Sequence, residues 1–229
     1  MNAPAPFEQK RTSVWEMYRS IVGIGAFCAL LIVSVYLGTE ERIADNKARF
    51  LAGAIAQVLP AVRSTVEVSL DENGALVAAT EPASLPAFLG YGEDGELVGA
   101  VITAQAMGYA DNITVLYSYS FDLEAIVGFK VLETKETPGL GDKVETEPHF
   151  LANFDALDAR LNDDGTALAN AIVTVKQGEK TEPWQLDGIT GATITSEAIG
   201  VILNQGSSYW LPALVRDARE FQPPQPIEE

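Results

Sequence analysis

A chain of 229 residues with 47% hydrophobic content has material for one folded domain of ordinary size plus an anchor, and it contains no internal repeat. A net charge of -17 excludes phosphate-rich partners, so neither nucleic acid nor an anionic lipid face is expected to dock on it. One cysteine and one histidine cannot build an iron–sulfur cluster or a His/Cys metal site, so an electron carrier held by this chain alone would be organic and no metal ligands are assigned.

Residues 1–19 are mostly polar, include Pro4, Pro6, Lys10, Arg11 and Arg19, and read as a disordered tail. Residues 20–37 carry no charge and are rich in Ile, Leu and Val; about 18 such residues just suffice to cross a bilayer. No small-x-small cleavage pattern follows, so the segment reads as a retained transmembrane helix. Arg19 borders it on one side, whereas Glu40 and Glu41 separate it from Arg42, Lys47 and Arg49 on the other, which favours a cytoplasmic N-terminus. In residues 38–60, Ile43, Phe50, Leu51, Ile55, Val58 and Leu59 share one helical face up to Pro60, as expected of a stalk continuing the membrane helix.

Residues 61–221 read as the folded domain. Val66, Val68 and Leu70 alternate, Asp71-Glu72-Asn73-Gly74 turns, and Leu76-Val77 resumes, predicting a hairpin. Leu97–Thr103, Ile113–Ser120 and Ile126–Leu132 are further strands joined by short links, and short links favour antiparallel pairing. Phe150, Phe154, Leu157 and Leu161 recur at helical spacing, predicting an amphipathic helix over 147–161 with His149 at its exposed start. Ala171–Lys176 reads as a strand. The fold class expected is therefore α+β, a mainly antiparallel twisted sheet with flanking helices behind one transmembrane helix. Residues 222–229, rich in Pro and Glu, read as a disordered tail.

The chemistry concentrates at Asp187-Gly188-Ile189-Thr190-Gly191-Ala192-Thr193, which runs directly into an apolar stretch at helical spacing. Small residues at a helix mouth let an anion reach backbone N–H groups, and Thr193 offers a hydroxyl there; the plainer reading makes Thr193 or Thr195 an ordinary N-cap. The string Asp-x-x-Thr-Gly-Ala-Thr resembles the flavinylation motif of the FMN-binding domain family. That resemblance implies FMN joined by a phosphoester to Thr193, installed by a separate flavin transferase, with Asp187, Thr190, Gly191 and Ala192 as the surrounding motif.

A second string, Lys135-Glu136-Thr137-Pro138-Gly139-Leu140-Gly141, is by itself a Pro-Gly turn. It too is similar to a string of that family, which implies that Glu136, Thr137, Gly139, Leu140 and Gly141 line the isoalloxazine. Lys176, just ahead of the flavin motif, is either a solvated strand-end lysine or a cation that offsets phosphate charge or steadies the reduced ring. Trp184 could shield the flavin or fill a groove, and Tyr209 and Trp210 could meet the core, the membrane or a partner.

With a single membrane helix added, the chain resembles the family of G subunits of Rnf-type electron-transport complexes. This implies a membrane-anchored electron-transfer subunit among other membrane subunits, in a bacterial inner membrane, with the flavin domain periplasmic. It implies electron flow between ferredoxin and NAD⁺ coupled to sodium or proton transport. The C subunit of the sodium-translocating NADH:quinone reductase, a stand-alone extracytoplasmic FMN carrier and a non-redox anchored binding module are the alternatives. No residue is assigned to covalent catalysis.

Overall fold

A computed structural model describes residues 13–81 and 83–223. The predicted N-terminal tail up to residue 12 and the C-terminal tail from residue 224 lie outside the described residues. The chain divides after Phe50 into two compact units.

The first helix, α1, runs Val14–Val58 without a break, so the membrane segment, the stalk and the end of the expected polar tail form one element. It starts earlier than residue 20 because Val14, Trp15, Met17 and Tyr18 are compatible with helix, and it stops just ahead of Pro60. Among the described residues it is the one helix long and apolar enough to cross a membrane, with a mean hydropathy of 2.4 over its 18-residue window. Ile21, Ile24, Phe27, Leu30, Ile32 and Val35 are all exposed, so apolar groups point outward all round, as lipid but not water would favour.

The second unit is built on a seven-stranded, wholly antiparallel sheet. Its strands are β1 Ser64–Leu70, β2 Leu76–Ala78, β3 Ala87–Tyr91, β4 Leu97–Met107, β5 Asn112–Ser120, β6 Ala125–Glu133 and β7 Leu157–Asp158, in the spatial order β2-β1-β3-β4-β5-β6-β7. β3 escaped the sequence reading because all of Ala87–Tyr91 is buried, which removes the polar alternation that marks a half-buried strand.

Side chains of the central strands sort by the period of two. Ala87, Leu89, Ala100, Ile102, Val115 and Tyr117 share one core with Ile199, Ile202, Leu203 and Leu214 of the long C-terminal helix. Phe88, Val101 and Leu116 point the other way, onto Ala54, Ile55, Val58 and Leu59 from the last turns of α1. Contact there is close: the Ser118 hydroxyl donates to the Val58 carbonyl at 2.5 Å, and a Cβ on Gly128 would collide with that same carbonyl and with the Ser118 hydroxyl.

The helix expected over 147–161 is not formed. The chain makes a short α2, Pro148–Leu151, a 3₁₀ turn over Ala152–Asp155, and then β7. Phe150 and Phe154 are buried and Phe154 stacks on Phe129 at 4.3 Å, so both are core as their spacing implied. Asn153 breaks the helix: its side-chain amide donates to the carbonyls of Phe150 and Asp187, and its oxygen accepts from the Asp187 N–H. Leu157 then pairs with Ile126 in the sheet.

Two short strands, β8 Val173–Val175 and β9 Gln185–Asp187, pair in parallel and carry the chain to α3, Thr193–Asp217. Tyr209 and Trp210 lie in this same helix; Trp210 packs on the core and Tyr209 is exposed.

Candidate cofactor site

α3 begins without a side-chain cap. Its N-cap is Ala192, which has no side-chain oxygen to cap with, and Gly191 before it takes the left-handed φ of 86° that the turn requires. The N–H groups of the first turn are therefore left open at the helix mouth. Nearby hydroxyls are already committed: Ser196 Oγ donates to the Ala192 carbonyl at 2.9 Å and accepts from the Ile189 N–H at 3.1 Å, and the Thr195 hydroxyl is buried. Thr193 stands at the first helical position and is exposed. The capping role allowed for Thr193 or Thr195 is thus not what the fold uses, because the cap position falls on Ala192.

Thr195 is turned instead towards the second string. Its hydroxyl donates to Glu136 Oε2 at 2.6 Å, while Glu136 Oε1 accepts the Ala110 N–H at 2.9 Å. Glu136 is only 6% exposed, so these donors compensate a carboxylate withdrawn from water. Leu140 and Gly141 both return N–H bonds to the Thr137 carbonyl at 3.1 Å, closing the loop into a tight turn. A Cβ on Gly141 would meet Glu136 at 2.5 Å, so the loop packs on its own glutamate only because that residue is glycine.

Two cavities open on either side of Thr193, the one residue that lines both. The first, about 310 Å³, joins the two strings: Glu136, Thr137, Leu140 and Gly141 face Gly191, Ala192 and Thr193, with Tyr109, Ile194 and Thr195 completing the wall. The second, about 630 Å³, has Lys176, Gln177 and Thr190 on its walls. Lys176 is exposed, and Gln177 is tied to the motif by accepting the Thr190 N–H at 3.0 Å.

Asp187 and Gly139 line neither cavity. Asp187 is 7% exposed and braces the loop behind the site: Oδ1 accepts the Gly178 N–H at 2.7 Å and Oδ2 lies 2.9 Å from His149 Nε2. Lys180 lies beside this group, bonded to Asn153 Oδ1 at 3.2 Å; burial pushes its ammonium below the usual lysine range, with the Asp187 charge opposing. Gly139 has φ 79° and donates its N–H to Asp142 Oδ1 at 2.7 Å. Trp184 is half-buried and lines neither cavity either.

Tyr109, Ile194 and Gln177 were not singled out from the sequence. Tyr109 looked like part of a connector between strands, and nothing local says that this connector folds against residues 136–141. His149 read as a helix-start surface residue, and its partner Asp187 is distant in sequence.

Residues 108–207 match the family of FMN-binding domains. The chain is similar to the G subunit of the ion-translocating oxidoreductase complex of Methanosarcina acetivorans, at 28% identity over 193 residues, covering 83% of this chain and 90% of that one. It is also similar to the corresponding G subunit of Stutzerimonas stutzeri, at 32% identity over 187 residues, covering 78% of this chain and 74% of that one. The chain belongs to this family of G subunits. Among solved structures, the C subunit of the Na(+)-translocating NADH-quinone reductase of Parabacteroides distasonis shares the fold of this G-subunit family member. The TM-score is 0.60 at 19% identity, over 78% of this chain and 96% of that one. Membership gives α1 its role, a membrane anchor for the domain that bears both cavities.

Proposed function

We propose that this chain is the flavin-carrying, membrane-anchored subunit of an ion-translocating electron-transport complex, and that it passes electrons through FMN joined by a phosphoester to Thr193. The observation that carries this reading is the state of Thr193: an exposed hydroxyl at an uncapped helix N-terminus, shared by two cavities, while the neighbouring Thr195 and Ser196 hydroxyls are bonded into the protein.

These residues fit the group. Open N–H groups and the positive end of α3 favour a phosphate, and Lys176 supplies a nearby cation across the second cavity. Leu140 and Ile194 offer apolar surface to a flat ring in the first cavity, and Gly141 keeps that wall thin. FMN, when bound, supplies the redox chemistry that no side chain here provides, and the protein binds it, orients it and sets its surroundings. The tether fits a cofactor that stays through turnover.

The ion route belongs to other subunits, since residues 20–37 place no charged side chain within the membrane. The family resemblance supplies ferredoxin and NAD⁺ as the terminal redox partners, a flavin transferase for maturation, and a periplasmic position for the domain. The charge step at Arg19 agrees with that orientation.

The test is peptide mass on full-length protein co-expressed with a flavin transferase, beside Thr193→Ala. An FMN-sized adduct on the fragment containing Thr193, absent from the variant, is the expected result. No adduct in the presence of a demonstrably active transferase would overturn the covalent reading and leave an anchored binding module in its place.

A further inference from the structure

The turn between β4 and β5 is fastened to the second string at two consecutive positions. Lys135 Nζ lies 2.6 Å from Asp111 Oδ2, and Glu136 Oε1 accepts the Ala110 N–H at 2.9 Å. Within the turn, the Gly108 N–H bonds the Asp111 carbonyl at 2.9 Å, and any Cβ on Gly108 would run into Glu136 Oε1 and Ile113 Cδ1, both at 2.6 Å. The turn therefore sits tightly on Glu136, and Tyr109, between the close-packed Gly108 and the bonded Ala110, is held on the wall of the first cavity.

Tyr109 is 68% exposed, and Leu140 and Ile194, also on this cavity, are 49% and 51% exposed. Single exposed apolar residues are ordinary, but large apolar side chains gathered round one opening mark a place where an apolar body settles. On a chain of net charge -17 these three exposed side chains are uncharged, the Glu136 carboxylate on the same wall being buried, and they share the cavity with the hydroxyl to which the reading above attaches a flat aromatic group.

We propose that Tyr109 is a contact residue for the isoalloxazine and that Glu136 is the positioning residue that places it. This rests on the assignment of FMN to Thr193. Glu136 acts through its two bonds: one carboxylate oxygen fixes the turn bearing Tyr109, and the other fixes the first turn of α3 through Thr195. The carboxylate thus sets the spacing between the aromatic wall and the attachment hydroxyl. Glutamine can keep both links, its carbonyl accepting from Ala110 and its NH₂ donating to the Thr195 hydroxyl, whereas alanine keeps neither.

The experiment measures flavin emission per attached flavin in full-length, flavinylated protein in detergent, for wild type, Tyr109→Leu, Glu136→Ala and Glu136→Gln. Attachment to Thr193 is checked by peptide mass on each sample. A tyrosine in contact quenches the ring by passing an electron to its excited state and taking it back, leaving both groups unchanged. Several-fold brighter emission is expected in Tyr109→Leu and in Glu136→Ala, with Glu136→Gln close to wild type.

Unchanged emission in Tyr109→Leu would overturn the contact. A bright Tyr109→Leu beside an unchanged Glu136→Ala, or a Glu136→Gln as bright as Glu136→Ala, would overturn the positioning role. Tyr109 is exposed, so its substitution tests the contact even where Glu136→Ala does not fold. A wild type with no adduct on Thr193 instead refutes the FMN assignment, and the mass measurement separates that failure from the others.

Discussion

Glu136 and Thr195 are 59 residues apart in the chain and meet at 2.6 Å, Oε2 to Oγ1. That bond joins the loop that follows β6 to the first turn of α3, and it takes Thr195 out of competition with Thr193 at the helix mouth. Neighbouring threonines on one helix turn thus differ in setting: Thr195 is buried and bonded internally, and Thr193 is exposed, where the proposed attachment needs it.

The two settings separate by substitution. Thr195→Val leaves the buried Glu136 carboxylate short of a donor and is expected to cost about 1.5–3 kcal/mol, the range for hydrogen bonds to charged groups. Thr193→Val removes an exposed hydroxyl and is expected to shift stability by less than about 0.5 kcal/mol while abolishing flavin attachment, and Thr193→Ser is expected to keep it. Urea unfolding followed by tryptophan emission, beside peptide mass, reads both; equal stability of the two Val variants would contradict the division of roles.

Gly128 is where β6 passes under the carbonyl of Val58. Gly128→Ala forces a methyl into that carbonyl and the Ser118 hydroxyl, both held by their own 2.5 Å bond. Overpacking of this kind is expected to cost about 1–3 kcal/mol. A thermal unfolding midpoint equal to wild type would show that the last turn of α1 is free to shift off the sheet.

Tyr119 is buried on the sheet, and burial pushes its hydroxyl up from 10.0 to about 12, with the Glu124 and Asp158 carboxylates adding to the rise. Its pKa is raised in the folded state, so the stability it contributes is fully present below pH 10.0 and is lost as pH rises through about 12. Tyr119→Phe is expected to flatten that part of the alkaline unfolding curve, although Tyr117, also raised by burial, will keep some of the slope. Phenolate absorbance followed against pH checks it; a Tyr119 titrating near 10 in the folded protein would refute the account.

The anchor can be tested by charge. Leu30 lies within the uncharged segment and is 66% exposed, so Leu30→Arg would put a guanidinium among lipid tails at a cost of about 2.5–3.5 kcal/mol. The expected outcome is a smaller fraction of the chain resisting alkaline extraction from membranes. Unchanged extraction would argue that this helix does not span the bilayer.

Much of the sheet was legible because its strands announce themselves locally. The hairpin around Asp71–Gly74 and the runs that became β4, β5 and β6 carry β-branched and aromatic residues between polar turns. What was misread was set by partners far away in sequence. Phe150, Phe154 and Leu157 keep helical spacing, but Asn153 bonds the backbone of Asp187, and Leu157 is claimed by Ile126 of β6. Periodicity records which residues are buried, not which backbone they will be buried against.

The site divides in the same way. The two strings are short, contiguous and made of residue types whose backbone and hydroxyl chemistry is local, so Thr193, Gly191 and the Glu136–Gly141 loop could be picked out from residue order. Their juxtaposition, the inward turn of Glu136, the recruitment of Tyr109 and the retreat of Asp187 to brace Gly178 and His149 depend on antiparallel pairing of β4 with β5 and on α3 packing across the sheet. The bonds from Glu136 to Ala110 and to Thr195 join residues 26 and 59 positions apart, and the burial free energy that selects them exists only once the whole core has closed. Residue order singled out the Thr193 hydroxyl; the closed core decided which neighbours stand around it and which one, Thr195, is turned away to Glu136.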